Sequence, residues 1–118
     1  MIKNVNILGA NYKIQTNASE AKDKDLAGRF GYCSYVDHRI VIADLNTIEG
    51  WADENEDVKA SQIKETLRHE IIHAFLFESG LGGSSVGVGQ WALNEEMVDW
   101  FAMQFPKMVE VFRIAGCL

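Results

Sequence analysis

From Val58 to Ser79 the chain contains neither glycine nor proline, and good helix formers dominate. Gly80 follows, a residue that suits the position just past a helix end. This spacing predicts one long helix. Beyond Glu70 its side chains are apolar on nearly every side, through Ile71, Ile72, Ala74, Phe75, Leu76 and Phe77. A helix that is apolar all round is expected to be buried. His69, Glu70 and His73 sit in its middle, and buried ionisable groups need partners. Residues four apart share a helix face, so both imidazoles project to one side. Two such nitrogens can each bond a zinc ion at roughly 2.0–2.1 Å. Glu70 lies about 100° further round the helix. From there it can lean over the metal without ligating it, the place for a general base acting on metal-bound water. The plainer alternative is a pair of structural histidines.

The remainder of the chain fits a single domain, residues 1–118, of the α+β class. Val5, Ile7, Tyr12 and Ile14 alternate with polar residues around Gly9-Ala10-Asn11, which reads as a hairpin. Residues 19–28 are polar and read as a loop. Phe30 to Val36 and Arg39 to Ala43 read as two more strands joined by a turn at Asp37-His38. The expectation is a small antiparallel sheet of three or four strands. Asp44 to Asp57 is irregular, with Ile48 and Trp51 as anchors onto the core. Leu81 to Gln90 is a Gly- and Ser-rich connector. It is followed by a second helix, Trp91 to Gln104, and a third starting at Pro106.

Composition narrows the function. The net charge is −6, with 17 acidic and 11 basic residues, which opposes a nucleic-acid partner. No apolar run is long enough for a signal peptide or a membrane span, so a cytoplasmic protein is expected. Cys33 and Cys117 fit no C-x-x-C spacing and are expected as free thiols.

Catalytic zinc usually has three protein ligands and an open position. The second helix offers adjacent carboxylates in Asn94-Glu95-Glu96-Met97-Val98-Asp99. Glu95 and Asp99 share a face. The simplest assignment makes Glu95 the third ligand and Asp99 the acceptor for the other ring N–H of a zinc-bound histidine. Glu96 reads as an exposed acid favoured near a helix N-terminus.

His69-Glu70-x-x-His73 followed by Asn94-Glu95-x-x-x-Asp99 resembles the gluzincin metallopeptidases. The run from Glu95 to Ala102 also resembles the ImmA/IrrE-type zinc peptidases of phages and mobile elements, where Phe101-Ala102 matches a packing pair. The order of strands and helices resembles the minimal members encoded by prophages. The resemblance implies a zincin-like fold and zinc-dependent peptide hydrolysis in a bacterial host cytoplasm. His69, His73 and Glu95 would be the ligands, Glu70 the base and Asp99 the supporting carboxylate. It also implies an edge strand that pairs with an extended peptide or protein substrate, for which Arg39 to Ala43 is the best candidate. Larger gluzincins carry a separate domain that supplies an oxyanion donor, and this chain has no room for one. Tyr32, Tyr35 and His38 are the candidates here, with core packing and a turn as their plainer roles. The alternative function is a zinc-binding phage regulatory or interaction protein with little or no turnover.

Overall fold

The computed structural model describes residues 2–84, 94–115 and 117–118. Four strands, β1 (Ile2–Ile7), β2 (Ala10–Ala18), β3 (Gly31–Ser34) and β4 (Arg39–Ala43), precede the helices α1 (Glu56–Glu78), α2 (Leu81–Ser84) and α3 (Glu95–Ala115). Short 3-10 turns at Lys24–Leu26 and Leu45–Thr47 complete an α+β fold. Among the described residues no helix is long and apolar enough to cross a membrane.

β1 and β2 form the expected antiparallel hairpin, turned by Leu8 and Gly9, both with positive φ. Such a turn matches the twist of the strands it joins. The strand order, however, is β1-β2-β4-β3, and β2 pairs with β4 in parallel. The expected antiparallel sheet is therefore a mixed one. The chain leaves β2, crosses to the far side as β3, and returns by a hairpin so that β4 fills the gap. Composition explains why β4 takes the centre. Ile40, Val41, Ile42 and Ala43 are all buried, and a continuous apolar run suits a strand covered on both faces. Arg39–Ala43 is accordingly no edge strand. Its hydrogen-bonding sides are taken by β2 and β3, and the sheet edges are β1 and β3.

One sheet face packs Ile7, Tyr12, Ile14, Ile40 and Ile42 against Ala74 of α1, with Ile63, Leu67 and Ile71 alongside. The other face buries Ala18, Leu26, Tyr32, Val41 and Ala43, with Ile48 packed against them. Trp51 meets Phe30 edge to face at 5.3 Å, as an anchor should. The segment around these residues is tied to α1 by the buried Lys59. Its ammonium donates to Asn46 Oδ1 at 2.6 Å and the Ala52 carbonyl at 3.2 Å, and pairs with Glu56 at 2.8 Å.

α1 is capped by Asn55, whose side chain accepts from the Asp57 N–H. It ends at Gly80, whose φ of +88° lies in the region glycine enters without strain. The helix is less buried than expected. Lys59, Thr66, Glu70 and Ala74 form its buried row, while Val58, Ala60 and Phe75 are exposed and its other apolar residues are half-buried. The helix has sheet on one side only, so its remaining apolar residues lack a full cover.

The expected start of the next helix at Trp91 lies outside the described residues. Within them, Asn94 accepts from the Met97 N–H at 2.9 Å, an N-cap that starts α3 at Glu95. No third helix begins at Pro106; α3 runs through it. A proline has no N–H, so the carbonyl four residues earlier, that of Ala102, loses its helical donor. Arg68 of α1 supplies the replacement, its Nε donating to the Ala102 carbonyl at 2.6 Å. The proline thus frees an acceptor that joins the two helices. Arg68→Met should destabilise the fold by about 1–3 kcal/mol, because Ala102 is fully buried. Adding Pro106→Ala should recover most of that loss by restoring the helical donor. Urea unfolding of the double-mutant cycle measures both, and additive losses would contradict the coupling.

Candidate metal centre

α1 touches β3, β4 and α3. Glu70 belongs to its buried row, facing the sheet. His69 and His73 occupy the adjacent row, facing the start of α3. The Asn94 cap puts Glu95 in the first turn of α3 and Asp99 one turn later on the same face. These local rules bring the four side chains together.

The His69 Nε2 lies 3.0 Å from Glu95 Oε2, and the His73 Nε2 lies 3.0 Å from Glu95 Oε1. The two imidazole Nε2 atoms are 3.1 Å apart. One donor atom from each of the three residues fits within a 4.8 Å cluster. Donors 2.0–2.1 Å from a zinc ion at tetrahedral angles would be about 3.3–3.4 Å apart. The observed contacts, made through both Glu95 oxygens, are a few tenths of an ångström shorter than that, and two imidazoles with one carboxylate suit zinc chemically. Asp99 Oδ1 sits 2.7 Å from His69 Nδ1. A proton on Nδ1 donates to that carboxylate and leaves the Nε2 lone pair turned toward His73 and Glu95. Glu96 is exposed and outside the cluster.

Glu70 Oε1 stands 3.8 Å from His69 Nε2, beside the triangle and not part of it. Burial pushes its carboxyl up to about 7; Glu95 adds to the shift, while His69 and Arg29 oppose it. Burial lowers His73 from its ordinary value, which favours the neutral, ligating form. Both histidines, Glu70 and Glu95 line a cavity of about 480 Å³.

The proposed oxyanion donors fare differently. The Tyr32 hydroxyl donates to Asp23 Oδ2 at 2.6 Å, and burial holds its proton up to about 12. It is committed elsewhere. His38 packs at a tilt against the Tyr12 ring and approaches Glu78 at 3.5 Å, and it is absent from the cavity wall. Tyr35 lines the cavity, stacked on Phe77 at 3.6 Å. Cys33 also lines it, its thiol pushed up to about 12 by burial, and both cysteines are free.

Two contributors were not legible in the sequence. Arg29 lines the cavity, yet nothing in the polar stretch before it marks it out. Gly31 lines it too, at a close approach between layers. A Cβ there would meet the Val41 carbonyl oxygen at 2.8 Å and the Thr66 methyl at 3.1 Å. The chain matches no family model, no curated protein and no solved structure.

Asp99→Ala should weaken zinc binding about 10- to 100-fold, measured by competition with a chromogenic chelator. An unchanged affinity would show that Asp99 does not orient His69. Metal-free protein should also carry the signature of Glu70. Between its ordinary 4.5 and about 7, the unfolded chain has lost a proton that the fold retains. Stability therefore falls as pH rises through that window. Glu70→Gln removes the effect and should gain about 1–3 kcal/mol relative to wild type from the low to the high end of it. Urea unfolding at a series of pH values tests this, and a flat difference would mean an unshifted carboxyl.

Proposed function

We propose that this chain is a zinc-dependent metallopeptidase with a minimal gluzincin-like fold, of the kind carried by phages and prophages. The observation that carries the reading is the donor triangle of His69, His73 and Glu95 with a buried carboxyl, Glu70, directly beside it. A purely structural zinc has no use for a base at that position.

A zinc ion held by these three side chains would supply Lewis acidity, acidifying water and polarising the scissile carbonyl. The residues supply the rest. Glu70 takes a proton from the attacking water and passes it to the leaving amine nitrogen as the peptide bond breaks. Burial raises the proton affinity of that carboxyl, which favours its taking the proton, and a bound zinc would oppose the shift. Asp99 holds the His69 ring in the ligating tautomer, and burial keeps His73 neutral. Tyr35 is the remaining tyrosine on the cavity wall whose hydroxyl is not tied to Asp23.

An extended substrate would lie along β3, the sheet edge whose Gly31, Tyr32 and Cys33 line the cavity. Strand addition there gives main-chain affinity with little sequence preference. The second reading is a zinc-binding regulatory or interaction protein with little turnover. The commitment of Tyr32 to Asp23 and the distance of His38 from the cavity favour it, since both remove an oxyanion donor.

Glu70→Gln should retain one zinc by elemental analysis and lose about 10²- to 10⁴-fold in peptide hydrolysis, read on a peptide library by mass spectrometry. Glu95→Ala should lower zinc content, whereas Glu96→Ala should not. Wild-type turnover in the Glu70→Gln variant would remove the base from the mechanism. A zinc-loaded wild type that leaves the library uncut would favour the interaction reading.

A further inference from the structure

Residues 29–31, at the entry to β3, border three cavities. The metal-site cavity includes Arg29 and Gly31. A smaller one, about 180 Å³, lies on the other side of Glu70 and His69 and includes Phe30 and Gly31. A third, about 530 Å³, is walled by Arg29, Phe30 and Trp51 with Glu20 and Glu49. Across all three linings Arg29 is the one lysine or arginine.

Its backbone is fixed. The Arg29 N–H donates to the Leu26 carbonyl at 2.9 Å, and the next carbonyl, of Phe30, accepts from Ala43 in β4 at 2.8 Å. Its guanidinium is not. It forms no ion pair with any described acid, although Glu70 lies within reach of its charge. A rigidly based guanidinium at the rim between two cavities, with no ion pair among the described residues, is placed to meet a ligand. The lining names the kind. Arg29 is the one fixed cation among the described residues of the metal-site cavity, and it forms an ion pair with neither of the carboxylates there, Glu70 and Glu95. A planar carboxylate matches the guanidinium fork.

Resting on the peptidase reading, we propose that Arg29 binds a carboxylate of the substrate close to the bond that is cut, either an acidic side chain or a free C-terminus. Arg29 is then a specificity residue. Its exposed position at the rim, away from the buried row that holds Glu70, sets it apart from the proton-transfer machinery.

Small hydroxamates test this without turnover, because the hydroxamate anchors on zinc and only the arm differs. The zinc-loaded protein should bind succinic monohydroxamate about tenfold or more tighter than its terminal amide, by calorimetry. Arg29→Gln should abolish that difference, and Arg29→Lys should keep part of it. Equal affinities in wild type, or a preference that survives Arg29→Gln, would overturn the proposal while leaving the metal site intact. If neither compound binds zinc-loaded wild type, the metal-site reading falls and the role of Arg29 falls with it. Random heptapeptides separate the two sources of carboxylate. A central glutamate in peptides blocked at both ends, or a free C-terminus in peptides without acids, should raise cleavage about tenfold over fully blocked, acid-free peptides. Equal cleavage of all three pools would also refute the assignment.

Discussion

The site depends on the register between α1 and α3. Three of its five polar contacts cross that interface, from His69 and His73 to Glu95 and from His69 to Asp99, while the other two stay within α1. A slip of α3 by one residue would rotate both acids away from the imidazoles. The bond from Arg68 to the Ala102 carbonyl opposes such a slip, because it fixes one residue of α1 to one residue of α3 by a directional contact. Apolar packing of Val98 and Ala102 adds affinity but little register. The Asn94 cap then sets where α3 begins, so Glu95 is held from both sides.

The site was more legible in the sequence than the sheet. Helical spacing is local, so His69, Glu70 and His73 could be placed on their faces from the chain alone, and the same holds for Glu95 and Asp99. The pairing of strands is not local. Alternation located β1 and β2, and the turn at Asp37-His38 set off β3 and β4, but neither signal carries a record of order, and β4 came out central and parallel to β2. The all-apolar run Ile40-Val41-Ile42-Ala43 was the available signal for a central strand. Pro106 misled for a different reason. Its local preference for a first turn was overridden by a tertiary donor, Arg68, that no sequence window contains. Arg29 escaped notice because its importance lies in the cavities it borders and not in any spacing.

The chemistry of the site is set against the stability of α1. The row that this helix turns toward the sheet contains Lys59, Thr66 and Glu70. Lys59 is satisfied by Asn46, Ala52 and Glu56, and Thr66 accepts from Gln62 at 3.2 Å. Glu70 is kept largely out of water with its nearest charged neighbours at the metal centre. A helix built only to pack would place aliphatic residues in these positions. Burial of Glu70 raises its proton affinity, the cost of placing a carboxyl where an aliphatic side chain would pack.

Gly31 sits where β3, β4 and α1 come closest. The clearance is smaller than one methyl group, so the separation between the strand edge and the helix that bears both histidines is fixed by the absence of a side chain. That makes Gly31 a spacer of zero length. Any larger residue would lift β3 from α1; on the proposed reading, a peptide lying along the strand would rise with it, away from the carboxyl of Glu70. The distance between the strand edge and the helix is thus written into the fold as a gap that one carbon atom would close.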